Sequence, residues 1–242
     1  MGVTMQGLLH VIYPPQCLTC DARVTTDFGL CGECWRTTPF ARGLVCDQCG
    51  TPLPGQDSTE VAVCDDCISI ARPWARGRAA LVYKDNARHL VLAFKHGDRL
   101  DLARPAAEWM HRAAEPILKP GMVVVPIPLH WMRLVKRRYN QAGMLAEGVA
   151  RLAGLEHCPD ALRRVRRTGT QDGHSRDGRF ANVVGALVVH ANRAARVEGR
   201  HVLLVDDVMT SGATFAAAAE ACLAVGASDV SVLCLARVAK DA

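Results

Sequence analysis

Eight of the eleven cysteines in this 242-residue chain form four Cys-x-x-Cys pairs near its amino-terminal end. Two thiolates at this spacing can face one ion, and four of them complete a tetrahedral Zn²⁺ site with Zn–S distances of about 2.3 Å. The pairs therefore predict two structural zinc ions, each in a closed site with no open position for catalysis. The predicted ligands are Cys17, Cys20, Cys31, Cys34, Cys46, Cys49, Cys64 and Cys67.

The spacing leaves the grouping of the pairs open. Consecutive pairs sharing an ion would give a double zinc ribbon, which we expect, whereas sharing between the first and third pairs would give a cross-braced module. A redox-active dithiol is the functional alternative, but such a pair occurs singly at a strand-to-helix turn. Zinc binding releases roughly 10 kcal/mol or more, which would replace the hydrophobic core that this turn-rich segment lacks.

The segment from residue 201 to residue 214 reads His-Val-Leu-Leu-Val-Asp-Asp-Val-Met-Thr-Ser-Gly-Ala-Thr. Its apolar run ends in Asp206 and Asp207, and a hydroxyl-rich loop then opens a helix. Free amides and the macrodipole at a helix N-terminus favour phosphate, and carboxylates accept hydrogen bonds from the vicinal hydroxyls of a sugar. A response-regulator receiver also contains Leu-Val-Asp-Asp, but it needs a lysine well downstream, and only 35 residues follow Asp207.

The elements that position these residues alternate between strand and helix from Ala79 onward, which is typical of βαβ units and a largely parallel sheet. A short lead-in helix is expected over residues 5–13, and a linker over Ile68–Arg78. The predicted strands are Ala79–Tyr83, Met122–Pro126, Ala186–Val189, His201–Asp206 and Asp229–Ala236. The predicted helices are Ala87–Lys95, Leu102–Ala114, Gln141–Ala153 and Ala213–Val225.

Charge is distributed unevenly along the chain. Residues 1–72 have a net charge of −4, and the rest of the chain has a net charge of +9. The basic field suits a phosphate-rich ligand, and the acidic cysteine segment suits a protein partner. No apolar run has the roughly 18–20 residues needed to span a bilayer, so we expect a soluble cytoplasmic protein, in which paired cysteines bind metal rather than form disulfides.

Residues Val202–Thr214 resemble, without a gap, the phosphoribosyl pyrophosphate (PRPP) motif of type I phosphoribosyltransferases. The resemblance implies an α/β, Rossmann-like fold with a mostly parallel sheet. It also implies that Asp206 and Asp207 hold the ribose hydroxyls. The residues that would wrap the 5′-phosphate are Thr210, Ser211, Gly212, Ala213 and Thr214.

Nearly the whole chain resembles the competence protein F (ComF) family, in which a zinc ribbon precedes a phosphoribosyltransferase-like domain. The resemblance implies a zinc-binding domain over residues 1–72 and a phosphoribosyltransferase-like domain over residues 73–242. It further places pyrophosphate at the turn after Val125, with Arg133 and Arg137 as counter-ions and a lid over Thr168–Arg179. The supporting motifs are Lys95/Gly97, Pro126/Pro128, Arg137–Gln141, Thr168/Gln171 with Arg179 and Asn182, the PRPP motif and the cysteine pairs.

These resemblances imply a Mg²⁺-dependent phosphoribosyltransferase or PRPP-binding domain, with Asp206 and Asp207 as the catalytic pair and an acceptor chosen by a hood between Tyr83 and Asp101. A different class of function is a non-catalytic accessory that handles single-stranded DNA during DNA uptake, to which the basic run Arg163–Arg167 could contribute. A PRPP sensor without turnover is a third reading. A homodimer would be ordinary for this fold.

Overall fold

The computed structural model describes residues 13–56, 60–96, 99–129, 139–166 and 185–239. A five-stranded sheet forms its centre, with strand order β1-β7-β6-β2-β3 and parallel pairing throughout. Its inner strands are apolar on both faces, as expected when helices cover both sides of a parallel sheet. The strands are β1 (Arg76–Val82), β2 (Val123–Pro126), β3 (Glu156–His157), β6 (His201–Met209) and β7 (Asp229–Arg237); β4 (Leu162–Arg164) and β5 (Leu187–Val189) form a separate antiparallel pair.

Helices pack on both faces of this sheet. The described helices are α1 (Gly32–Thr37), α2 (Asp65–Ser69), α3 (Asp85–His96), α4 (Ala103–Ala114), α5 (Gln141–Ala153) and α6 (Ala213–Ala224), with 3₁₀ turns at Leu100–Leu102, Glu115–Ile117 and Ala191–Arg196. Helices α3, α4 and α5 cover one face, and α6 covers the other together with the antiparallel pair and the second half of the cysteine segment. Within the described ranges, every helix falls short of what a bilayer crossing demands.

The cysteine segment packs directly on the backbone of β1. Gly77 donates its N–H to the carbonyl of Asp47 at 2.8 Å, and a Cβ on Gly77 would lie 2.2 Å from the carbonyl oxygen of Gln48. The Asp47 carboxylate accepts hydrogen bonds of 2.7 Å from both Arg76 and Arg78. Backbone contact and ion pairing therefore fix this segment against the sheet.

A second contact covers the outer edge of the sheet. Phe40 bridges to Leu81 in antiparallel orientation, the N–H of Ala41 donates to the carbonyl of Ala80, and the N–H of Val82 donates to the carbonyl of Pro39. Since β1 is an outer strand of the sheet, this short segment satisfies backbone groups that would otherwise remain unpaired.

The predicted α/β fold is confirmed, and some predicted boundaries are wrong. The expected linker Ile68–Arg78 instead contains the end of α2 and the start of β1, because Arg76–Arg78 pair with β7. Strand β6 runs three residues past Asp206 to Met209, and the run Arg163–Arg167 begins as a strand, with Leu162 buried and Arg163 exposed. Lead-in residues 5–12 lie outside the described residues, as does the expected lid.

Candidate functional site

The eight paired cysteines form two separate tetrads, so the expected consecutive grouping is confirmed. Within each tetrad the sulfur atoms lie within 4.8 Å of one another. The Cys20–Cys31 and Cys49–Cys64 sulfur distances are 3.7 Å, close to the roughly 3.8 Å that tetrahedral Zn–S bonds of 2.3 Å require. The tetrads are Cys17, Cys20, Cys31 and Cys34, and Cys46, Cys49, Cys64 and Cys67.

Backbone amides support these sulfurs as they do in zinc knuckles. The N–H of Cys31 donates to the sulfur of Cys17 at 3.3 Å, and the N–H of Cys64 donates to the sulfur of Cys46 at 3.4 Å. Burial opposes ionisation of Cys17, but backbone hydrogen bonds from Cys31, Cys20 and Thr19 favour the thiolate, and the pKa of Cys17 falls to about 6. All eight donors are sulfur, and the four sulfur atoms of each tetrad lie within 4.8 Å of one another, so the residues fit two structural zinc ions.

The acidic turn lies at the carboxyl end of β6, where ligands of open α/β sheets bind. Asp207 is 8% exposed, and its N–H donates to Oδ1 of Asp206 at 2.8 Å. Burial, followed by the nearby charge of Asp207, raises the pKa of Asp206 to about 7.

A lysine from the predicted hood reaches this acidic pair. Lys95, near the end of α3, places its Nζ 3.0 Å from Oδ1 of Asp207. The carbonyl of Lys95 accepts a hydrogen bond from Nε2 of Gln141 at 3.4 Å, and Tyr139 donates to the carbonyl of Phe94 at the same distance. The structure thus joins two segments that the sequence had singled out separately, the Lys-x-Gly turn and the Arg-x-Tyr-Asn-Gln run.

The loop after β6 turns at Gly212 and opens α6. Gly212 has a φ of 84° and precedes Ala213, the first residue of the helix. The N–H of Ala213 lies 3.4 Å from Oγ of Ser211, which accepts it. The structure therefore brings Ser211, Gly212 and Ala213 together at the N-terminus of α6, on the same sheet edge as Asp206 and Asp207.

Sequence reasoning missed two arginines behind this loop. Nη1 of Arg237, on β7, donates to the carbonyls of Met209 and Thr210. Nη1 of Arg72 donates to the carbonyl of Ser211 at 2.8 Å. Both residues donate hydrogen bonds to backbone carbonyls of the loop, so no motif in the sequence could have identified this role.

Another arginine approaches the site from the antiparallel pair. Nε of Arg164 lies 3.5 Å from the carbonyl of Pro128, just after β2, and the charge of Arg164 partly opposes the rise in the pKa of Asp206. The sequence had placed Arg164 only within a basic cluster. Arg133, Arg137 and the expected lid Thr168–Arg179 lie outside the described residues.

Family models match two parts of the chain. A double zinc ribbon domain matches residues 8–68, and a phosphoribosyl transferase domain matches residues 141–242. These matches agree with the two cysteine tetrads and with the parallel sheet that carries the acidic turn.

Curated relatives match most of the chain. The DNA utilization protein YhgH of Escherichia coli K12 is 30% identical over 87% of this chain and 91% of its own length. Competence protein F of Haemophilus influenzae is 26% identical over 86% of this chain and 90% of its own length. Competence protein ComFC of Bacillus subtilis is 26% identical over 91% of this chain and 94% of its own length.

Proposed function

The chain belongs to the family of competence protein F and DNA utilization protein YhgH, and from that membership we propose that it binds PRPP at the carboxyl end of β6. We further propose that it displaces pyrophosphate from PRPP with an acceptor still to be identified. The observation that carries the proposal is one edge of the sheet, where β6 ends two residues after the Asp206–Asp207 pair and the loop that opens α6 begins.

The two halves of this edge suit the two ends of a phosphorylated ribose. The carboxylates of Asp206 and Asp207 can accept hydrogen bonds from the 2′- and 3′-hydroxyls. The amides at the N-terminus of α6 can donate to the 5′-phosphate, which the helix dipole also attracts. Thr210 through Thr214 form this phosphate loop, in which Ser211 and the two threonines also carry hydroxyl groups.

Transfer would proceed through an oxocarbenium-like transition state at the anomeric carbon. Asp206 and Asp207 anchor the ribose, and a carboxylate there opposes the positive charge that develops on the sugar. Lys95, already paired with Asp207, supplies positive charge beside the leaving group. The lid expected over Thr168–Arg179 would exclude water, because hydrolysis of PRPP is the competing reaction.

Magnesium would arrive with PRPP rather than in a cage made by the protein. The carboxylate oxygens of Asp206 and Asp207 are ligands of the kind that Mg²⁺ accepts, but Lys95 already neutralises one of them. Mg²⁺ keeps several waters and binds phosphate oxygens readily. When bound, it would supply charge neutralisation of the departing pyrophosphate.

Calorimetric titration with PRPP, with and without Mg²⁺, tests the proposal. Wild-type protein should bind PRPP in a Mg²⁺-dependent manner, and the Asp206→Asn, Asp207→Asn double variant should bind at least about 100-fold more weakly. Asp160→Asn is the matched control, since Asp160 is an exposed acid paired with Arg193 at 2.8 Å. Equal binding by wild type and double variant would refute the site.

Handling of single-stranded DNA is a second candidate, favoured by the relatives that are named DNA utilization and competence proteins and by the net charge of +9 after residue 72. Its affinity should fall steeply as salt rises, because DNA binding releases counterions. PRPP binding should instead depend mainly on Mg²⁺ and on the two aspartates. Titration of a fluorescent oligonucleotide at increasing salt distinguishes the two activities.

We place the boundary between the zinc-binding and transferase-like domains at residue 72, and we propose a cytoplasmic protein in which the thiolates stay reduced and metal-bound. The acidic zinc module is available to a protein partner, and a homodimer is compatible with the fold. Size-exclusion chromatography with light scattering measures the oligomeric state directly.

A further inference from the structure

The phosphate loop has its carbonyl groups fixed from behind by two arginines. Arg237 binds the carbonyls of Met209 and Thr210, and Arg72 binds that of Ser211. In a trans peptide the carbonyl and the following N–H point in opposite directions. The N–H groups of Ser211 and Gly212 therefore point away from the arginines, towards the side where an anion would lie.

These arginines have no carboxylate partner among the described residues. Arg237 is only 3% exposed, and the Nε atoms of both Arg72 and Arg237 are buried without a hydrogen-bond acceptor in that part of the chain. A buried guanidinium without a counter-charge is costly. Some other negative group must balance them.

The second cysteine tetrad is the source of negative charge that lies beside the loop. Its members Cys46, Cys49 and Cys67 belong to the same buried cluster as Met209 and Ala213, which flank the loop. Four thiolates around one Zn²⁺ have a net charge of −2, which is equal in magnitude and opposite in sign to the charge of the two guanidinium groups.

An aromatic side chain connects the same tetrad to the same loop. Nε1 of Trp74 donates to the carbonyl of Gln48 at 2.7 Å, within the knuckle between Cys46 and Cys49. The Trp74 ring packs against Phe215 of α6, with a centroid distance of 6.4 Å. Arg72 covers the ring at 5.3 Å, and a Cβ on Gly212 would lie only 3.1 Å from the indole.

We propose that the second zinc–thiolate centre is part of the phosphate-binding apparatus, holding Arg72 and Arg237 as positioning residues that fix the phosphate loop for the anion. The inference deepens the proposed function and rests on it for the identity of the ligand. The first tetrad has no such connection among the described residues, since the contacts with the loop come from Arg72, Trp74 and β7. Zinc in the second tetrad thus acts on affinity as well as on folding.

The test compares Arg72→Lys with Arg42→Lys. Arg42 is a matched control because it also stacks on aromatic rings, at 5.2 Å from Trp35 and 4.7 Å from Phe40, but lies beside the first tetrad. Arg72→Lys retains the charge and loses the planar fork. It should keep two zinc ions per chain, bind PRPP at least about tenfold more weakly, and exchange the amide hydrogens of residues 210–214 faster.

Amide exchange separates the failure of this inference from failure of the proposed function, because it needs no PRPP. If wild type does not bind PRPP, the proposed function fails, and exchange at residues 210–214 still decides the role of Arg72. Unchanged exchange in Arg72→Lys, or an equal effect in Arg42→Lys, would overturn the inference.

Trp74→Phe provides a second test should Arg72→Lys fold poorly, because it loses the hydrogen bond to Gln48. The amide hydrogens of residues 210–214 should exchange faster in this variant as well. Unchanged exchange there would overturn the inference.

Discussion

The ammonium nitrogen of Lys95 lies 3.0 Å from a carboxylate oxygen of Asp207, and the two side chains are only 20% and 12% exposed. Lys95 comes from the end of α3, and Asp207 comes from the end of β6, on the sheet edge that carries the phosphate loop. The ion pair therefore connects the hood to the acidic turn. It also means that a ligand binding at Asp207 meets a carboxylate whose charge is already partly compensated.

Replacing Lys95 with methionine should destabilise the protein and weaken PRPP binding. The change leaves Asp207 largely buried without its cation, which we expect to lower the free energy of unfolding by about 1–3 kcal/mol. Urea denaturation measures this value. Lys119→Met, at an exposed lysine, should change it by less than about 0.5 kcal/mol, and similar losses in the two variants would contradict a role for the pair.

The raised pKa of Asp206 predicts a specific pH dependence of stability. The pKa rises from an ordinary value of 3.8 to about 7 on folding, so the folded protein holds this proton more tightly than the unfolded chain. The free energy of unfolding contributed by Asp206 therefore falls as pH rises from about 4 to about 7. Asp206→Asn removes that dependence.

Between about pH 5.5 and pH 8, the free energy of unfolding of Asp206→Asn should rise by about 2 kcal/mol relative to that of the wild type. Urea denaturation of both proteins at each pH gives the difference, and pH effects on zinc binding cancel because they are common to both. Asp160→Asn is the control, since its hydrogen bond with Arg193 lowers the pKa of Asp160 and it stays ionised throughout this range. Parallel stability curves for wild type and Asp206→Asn would contradict the prediction.

Gly212→Ala should impair the phosphate loop beyond its effect on stability. At a φ of 84°, any side chain is strained, and the added Cβ would lie 2.8 Å from Nη1 of Arg72. Gly121→Ala has a similar φ of 77° with no neighbour within 4 Å. Both variants should lose about 1 kcal/mol in stability, but only Gly212→Ala should weaken PRPP binding, by at least about tenfold. Calorimetry and denaturation of the two variants give both quantities, and equal PRPP affinities would count against the proposed loop.

The two tetrads should release zinc at different rates. In the first, Cys20 is exposed, whereas in the second Cys46 and Cys49 have no exposed surface. A chelating dye should therefore remove two ions per chain in two phases, and Cys20→Ser should abolish the faster one. A single phase, or loss of the slower phase in Cys20→Ser, would show that exposure does not govern release.

The cysteine grouping and the acidic turn could be predicted because each depends on residues close together in sequence. Cys17 to Cys34 and Cys46 to Cys67 are two local units, and the strand–turn–helix pattern around Asp206 is continuous. Arg72 and Arg237 could not be predicted, because they bind carbonyl groups that every residue has. Arg237 reaches the loop only because β7 pairs with β6 in a register that sets it opposite Met209.

Short elements were hard to predict for a related reason. β3 and β4 contain two and three residues, too few for any alternation to appear. β4 is recognised only through its antiparallel partner β5, which follows a long intervening segment. The basic character of Arg163 and Arg164 suggested a surface run, whereas Nε of Arg164 lies 3.5 Å from the carbonyl oxygen of Pro128, just after β2.

The segment Pro39–Ala41 along the outer edge of β1 has a consequence for how the protein can be divided. A truncated chain beginning at residue 73 would expose this strand edge, a ready template for intermolecular β-pairing, and would leave Arg237 without the thiolates that we propose as its counter-charge. Such a fragment should aggregate on expression. Recombination or truncation that separates the zinc ribbon from the sheet would therefore be selected against even if the ribbon touched no ligand.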